Sequence, residues 1–270
     1  MKLCSIGHLP EKGTFNVEVF RQNIGDFKMK HPVLFFSAFD HKDCIKIKPP
    51  ELAIKHLDLD DKRKRVTINN LVFFTALRMA LKQGYTHIIY LETDCRVGRD
   101  NWDEIMFEEY FNCGRHVICG GSMVVYNPCN SGPKGYRKWG ELVAQNTKRN
   151  FPTPTYGWKG AADNTGSCVF VNGALGIYDI AWMAKLFDLD QTIKLATSGY
   201  VWDMLVGFEI WKLFGEASYD MLLHMKTIFS SYGDVITDPH ERKLMLEAGH
   251  VVAVHQIKDD WSPPVFKKSL

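Results

Sequence analysis

Glu92-Thr93-Asp94 sets two carboxylates one residue apart, directly after the apolar run Ile88-Ile89-Tyr90-Leu91. Such a run reads as a strand buried on both faces. Its end therefore delivers both acids to the edge where open α/β sheets bind ligands. Two carboxylates this close cannot both be buried and unpaired, because an isolated buried charge costs too much. A hard divalent cation resolves the conflict, and carboxylates combined with phosphate oxygens suit Mg2+ or Mn2+. A solvated strand end is the other reading of the triplet taken alone, so the surrounding elements decide.

Residues 69–84 carry apolar side chains at helical spacing and end on Gly84, the residue type expected past a helix C-terminus. This order of helix, glycine, short turn, strand and acid-x-acid resembles the GT-A glycosyltransferases, in which the acid-x-acid element is called the DxD motif. Here glutamate replaces the first aspartate. The resemblance extends over residues 69–255, by motif order more than by close identity. It implies a metal held by Asp94, with Glu92 assisting directly or through the ribose of a nucleotide-sugar donor.

Three later segments add to it. Residues 169–179 (VFVNGALGIYD) resemble the family's glycine loop beside the donor phosphates. That implies Gly173 and Gly176 as donor contacts, where a missing side chain lets backbone approach a ligand. A strand–turn–helix junction needing glycine for geometry alone remains open. Asp203 precedes an apolar helix expected over 204–214 and closed by Gly215. In the family an acid here opens the helix and often acts as general base, so Asp203 is the implied base, with Glu209 as fallback. Asp203 would also serve as an N-cap. The apolar strand expected at 251–254 ends on His255, where many family members place a further metal ligand, and neutral imidazole suits that role. Asp40, ending an expected N-terminal strand, could accept hydrogen bonds from the donor's base or ribose, or simply be solvated. Asn70 reads as a helix-start residue first and a donor contact second.

The elements that must position these groups alternate along the chain. Residues 1–7 read as a strand, 15–27 as a helix, 31–40 as a buried strand, and 42–64 as a polar loop containing Pro49-Pro50. A helix over 102–111 and a strand over 117–126 follow the acidic strand. Such alternation predicts an α/β fold, GT-A-like and Rossmann-type, with a mostly parallel sheet and helices on both faces. At 270 residues a single domain spanning 1–270 is expected. Its first half (1–126) would bind nucleotide sugar and metal, and its second half (127–270) the acceptor.

A composition of 46% hydrophobic and 24% charged residues is that of a soluble globular protein. No apolar run is long enough to span a bilayer and no signal-peptide pattern opens the chain, so no membrane anchor is expected. Seven cysteines without any C-x-x-C pair give no support to zinc ribbons or thioredoxin chemistry. Reduced thiols and a cytoplasmic location are the simplest account. Cys95 adjoins the acidic triplet, but soft thiolate matches a hard cation poorly, so packing is its expected role.

The acceptor is addressed by one segment. Residues 134–159 hold six cations and one acid, a net +5 within a chain of net +2, interleaved with five aromatic residues. Arg137, Lys138, Trp139, Lys148, Arg149 and Trp158 are its candidate acceptor contacts. Cations that neutralise phosphates and aromatics that stack bases form the footprint of nucleic acid. A solvated basic loop or an aromatic-lined sugar groove would account for part of the pattern. Some GT-A-like enzymes, notably of phages, glycosylate hydroxymethylated pyrimidines in DNA, so DNA is a possible acceptor by resemblance. The expected activity is metal-dependent transfer of a sugar from a UDP- or other NDP-sugar to an acceptor hydroxyl, with inversion favoured over retention. The alternatives are a glycan, protein or small-molecule acceptor, a sugar-nucleotide pyrophosphorylase, or a carbohydrate- or nucleic-acid-binding module without turnover. Residues 7–13 are too poor in glycine for the triphosphate loop of a pyrophosphorylase.

Overall fold

The structure is a computed structural model describing residues 1–11, 16–47, 61–112, 118–120, 123–126, 168–171, 175–197, 222–224, 229–230, 239–249, 251–255 and 259–264, with positions 202, 203, 205, 206, 209 and 257. A seven-stranded sheet forms its centre, in the order β3-β2-β1-β4-β9-β6-β10. These strands are β1 (Leu3–His8), β2 (Val33–Ser37), β3 (Ile45–Lys46), β4 (His87–Leu91), β6 (Ile118–Gly120), β9 (Leu175–Asp179) and β10 (Leu222–His224). Only β9 runs antiparallel to its neighbours; every other pairing is parallel. The expected mostly parallel α/β architecture is the one found.

Strand β4 lies in the middle and is covered on both sides. Ile88 and Tyr90 join Cys4 and Ile6 of β1 in one apolar cluster, packed under α2 (Asp61–Lys82). Ile89 and Leu91 point the other way, into a second cluster with α1 (Val17–Gly25) and α3 (Trp102–Asn112). This alternation is why β4 reads as a continuous apolar run and not as an amphipathic strand. Helix α2 is followed by Gly84, whose φ of +77° favours glycine. The Tyr85 amide donates to the Ala80 carbonyl and the Gly84 amide to that of Leu81, the Schellman pattern that caps orphan carbonyls. The helix thus stops four residues before β4 enters the sheet.

Several boundaries differ from the sequence expectation. Helix α2 begins at Asp61, because the charged stretch at 61–65 consists mainly of good helix formers and extends the apolar helix backwards. The expected strand at 31–40 stops at Ser37. The Ser37 hydroxyl donates to the Leu9 carbonyl (2.6 Å) and accepts from the Phe39 amide (3.0 Å), turning the chain out of the sheet. The expected strand at 117–126 is two strands in two sheets. β6 belongs to the main sheet, whereas β7 (Met123–Tyr126) pairs with β8 (Cys168–Val171) as a separate ribbon. In the sequence Gly120-Gly121 interrupts the apolar run, and glycine weakens a strand interior.

A third, small sheet lies beside the acidic triplet. It joins β11 (Phe229–Ser230), β12 (Ala253–Val254) and β5 (Arg96–Val97) in the order β11-β12-β5. Helix α6 (Pro239–Glu247) precedes β12, and Leu246, Val251, Val254 and Ile257 form a small core of their own. Among the described residues no helix is long and apolar enough to cross a membrane.

Candidate metal centre

At the C-terminal end of β4 the chain makes a tight turn over 92–95, closed by the Cys95 amide donating to the Glu92 carbonyl at 2.9 Å. It then enters β5, which pairs antiparallel with β12 in the register Arg96 opposite Val254 and Val97 opposite Ala253. That register brings His255, the residue after β12, against the acidic turn. The Ile257 amide donates to the Asp94 carbonyl at 2.9 Å and locks the two segments together.

The consequence is a compact donor set. One ligand atom each from Glu92, Asp94 and His255 lies within 4.8 Å of the others. His255 Nε2 is 3.1 Å from Asp94 Oδ1, and both side chains are only 7% exposed. Glu92 is half-buried. Adjacent ligands on an octahedral divalent cation at about 2.1 Å stand roughly 3 Å apart. The Asp94–His255 pair is already at that spacing, and two carboxylates with one imidazole suit Mn2+ or Mg2+ bearing phosphate ligands. These residues fit the cation expected from the sequence.

Neighbouring groups define what else the site can do. Cys95 is fully buried in an apolar cluster. Burial first, and then the charges of Asp94 and Glu92, push its thiol well above the ordinary range. It packs as a protonated thiol. Tyr90 and Tyr178 are buried behind the turn, and burial raises both hydroxyls far above their ordinary value. The charges of Glu92 and Asp203 act in the same direction on both tyrosines, so Asp203 shares this neighbourhood with the acidic turn. Its position is anchored by Trp202, which stacks on Phe73 at 3.9 Å between ring centres and meets Tyr90 edge-on at 5.1 Å. Trp202 is already helical, so half-buried Asp203 lies within the helix and not at its N-cap. Glu209 is also helical and half-buried, six residues on.

The expected donor contacts are placed differently from one another. Gly176 is buried in β9, opposite Tyr90 of β4 and Gly120 of β6, on the strand that flanks the acidic turn. Asp40 is 87% exposed and paired with Lys46 at 2.5 Å. Asn70 is fully buried within α2, nine residues past its start, and its side-chain amide donates to the Ala196 carbonyl at 3.4 Å. That bond ties α2 to α5 (Thr192–Ala196), the helix after α4 (Ile180–Leu186). Gly173 and the acceptor candidates Arg137, Lys138, Trp139, Lys148, Arg149 and Trp158 lie outside the described residues.

Two residues at the site escaped the sequence reading. His8 ends β1 beside β4, buried, with Nδ1 3.0 Å from the Tyr90 hydroxyl. Burial lowers its imidazole to about 4, so the ring is neutral where it meets the tyrosine hydroxyl. Arg96, two residues past Asp94, is buried to 2% exposure. A lone histidine in an apolar strand and an arginine in a polar turn carry no local sign of either role.

No protein-family model and no curated protein matches the sequence. Among solved structures, the chain is similar to mouse xyloside xylosyltransferase 1, with a TM-score of 0.48 and 13% identity, covering 97% of this chain and 100% of that one. It is similar to core-mannan synthase A from Aspergillus fumigatus in its Mn/GDP form, with a TM-score of 0.42 and 11% identity over 78% and 69% of the two chains. It is also similar to the galactosyltransferase LgtC in complex with donor and acceptor sugar analogues, with a TM-score of 0.43 and 11% identity over 94% and 87%. All of these TM-scores fall below 0.5, and none of the likenesses decides what this chain does.

Proposed function

We propose that this protein is a metal-dependent glycosyltransferase of the GT-A type, moving a sugar from a nucleotide-sugar donor to an acceptor hydroxyl. The observation that carries the reading is the convergence of Glu92, Asp94 and His255 at the C-terminal end of the central strand β4. Those three side chains would hold Mn2+ or Mg2+. When bound, such a cation neutralises the charge that develops on the departing diphosphate.

The remaining chemistry belongs to the chain itself. Asp203 accepts the proton of the attacking acceptor hydroxyl, with Glu209 as fallback on the same helix, and a base in that role gives inversion at the anomeric carbon. In support, Trp202, the residue before Asp203, stacks on Phe73, and the charges of Asp203 and Glu92 both act on Tyr90. Gly173 would let backbone approach the donor's diphosphate, and Gly176 would contribute from β9, the strand that flanks the acidic turn. Asp40 would receive the base or ribose at the cost of its Lys46 pair. Asn70, buried and bonded to the Ala196 carbonyl, would act by holding α2 in place and not by touching the donor.

The acceptor reading rests on the sequence of residues 134–159, whose net +5 and interleaved aromatics favour a polyanion. DNA bearing a hydroxymethylated pyrimidine meets that description and offers the hydroxyl. A screen of nucleotide sugars for metal-dependent release of nucleoside diphosphate tests the core of the proposal. Release with Mn2+ and none with chelator is expected. Binding without release would leave a non-catalytic module, and pyrophosphate-dependent cleavage of the donor would leave a pyrophosphorylase. NMR of the product's anomeric proton tests inversion.

A further inference from the structure

The guanidinium of Arg96 lies between the two segments that supply the metal ligands. Nη1 donates to the carbonyls of Thr93 (2.9 Å) and Cys95 (2.8 Å), the two residues flanking Asp94. Nε donates to the Trp261 carbonyl (3.0 Å) and Nη2 to that of Asp259 (3.1 Å), both in the segment that follows His255. All four of these acceptors are main-chain carbonyls. The arginine therefore grips both loops without occupying the carboxylates that a cation needs.

A charge this deeply buried is not explained by stability alone. Desolvating a guanidinium costs several kcal/mol, and well-packed apolar replacements for buried ions are often neutral or stabilising. Burial lowers the Arg96 pKa, against the opposing charges of Cys95, Asp94, Asp259 and Asp260. The segment it holds is pinned elsewhere too: Asn16 Nδ2 donates to Asp260 Oδ1 at 2.7 Å, and Lys243 pairs with Asp259. Those contacts fix the segment to α1 and α6. Arg96 fixes it to the acidic turn through side-chain hydrogen bonds, with the planar fork that four converging carbonyls require.

We infer that Arg96 is a positioning residue: by clamping the 93–95 turn to the 259–261 segment, it presents Asp94 and His255 together before a cation arrives. This inference rests on the metal-site reading above. It competes with a simpler electrostatic role, and the two differ in sign. A nearby positive charge acting only through its field repels a divalent cation, so its removal would tighten binding. A clamp acts the other way, since loss of outer-shell support typically weakens metal binding by about 10–100-fold.

The test is Mn2+ binding to the metal-free full-length protein without donor, followed by the EPR signal of free Mn2+, for wild type, Arg96→Met and Arg96→Lys. Arg96→Met removes charge and clamp, whereas Arg96→Lys keeps the charge and loses the fork. Both variants should bind roughly 10–100-fold more weakly than wild type. Circular dichroism and thermal melting establish that the variants are folded, and a purely structural role would lower the melting temperature without moving the Mn2+ affinity of the folded protein. If Arg96→Met does not fold, Arg96→Lys alone decides. Wild-type affinity in a folded variant, or tighter binding by Arg96→Met, overturns the inference while leaving the metal site intact. A wild-type protein that binds no Mn2+ removes the metal reading and this inference with it.

Discussion

His8 ends β1 with its ring buried and its Nδ1 hydrogen-bonded with the Tyr90 hydroxyl at 3.0 Å, beside the strand that leads into the acidic turn. Burial lowers its pKa from 6.5 to about 4. An unfolded chain therefore takes up a proton on this residue as pH falls below 6.5, whereas the folded protein resists until about 4. Between those values the unfolded state binds more protons, so stability falls as pH falls. Linkage over that window costs about 2 kcal/mol between pH 7 and 5, and about 3 kcal/mol by pH 4. His8→Asn removes the titration while keeping a hydrogen-bond partner, donor or acceptor, for Tyr90. Urea unfolding at about pH 7 and 5 should show wild type losing ~2 kcal/mol more than the variant over the interval. NMR titration of the His8 ring supplies an independent reading. A variant with the same pH slope as wild type, or a His8 ring that titrates in the folded protein near 6.5, would refute the reasoning.

Asp94→Ala removes a buried carboxylate with a direct claim on the cation and should weaken calorimetric Mn2+ affinity by more than the ~10–100-fold of an outer-shell change. His255→Ala should do the same while leaving the melting temperature within a few degrees, because the residue follows β12 and is not within it; unchanged affinity would remove it from the ligand set. Asp203→Asn should keep donor affinity and lose about 10²–10⁴-fold in turnover, and a near-wild-type rate would favour a retaining route in which the departing phosphate takes the proton. Binding to DNA, followed by fluorescence anisotropy, should weaken steeply with salt. Replacing Arg137, Lys138, Lys148 and Arg149 together should flatten that slope, while no binding at low salt would point to a neutral acceptor.

The sequence by itself determined the parts of this protein that depend on near neighbours in the chain. The double-sided burial of β4 was legible because four consecutive apolar residues cannot belong to a half-exposed strand. The end of α2 was legible because Gly84 supplies a backbone conformation that other residues avoid. Motif order singled out Glu92, Asp94, Asp203 and His255 as candidates, by resemblance and not by neighbouring residues. Tertiary structure decided what depends on distant partners. The run at 117–126 became two strands in two sheets because its halves pair with β9 and β8, far along the chain. Asn70 became a buried helix-to-helix contact because Ala196 comes to meet it from 126 residues away. Arg96 could be buried only because carbonyls 163 and 165 residues distant arrive to accept its hydrogen bonds. A side chain's type records what it can bond. Whether it is desolvated, and against what, is set by chain segments whose approach is driven by the burial of the whole core.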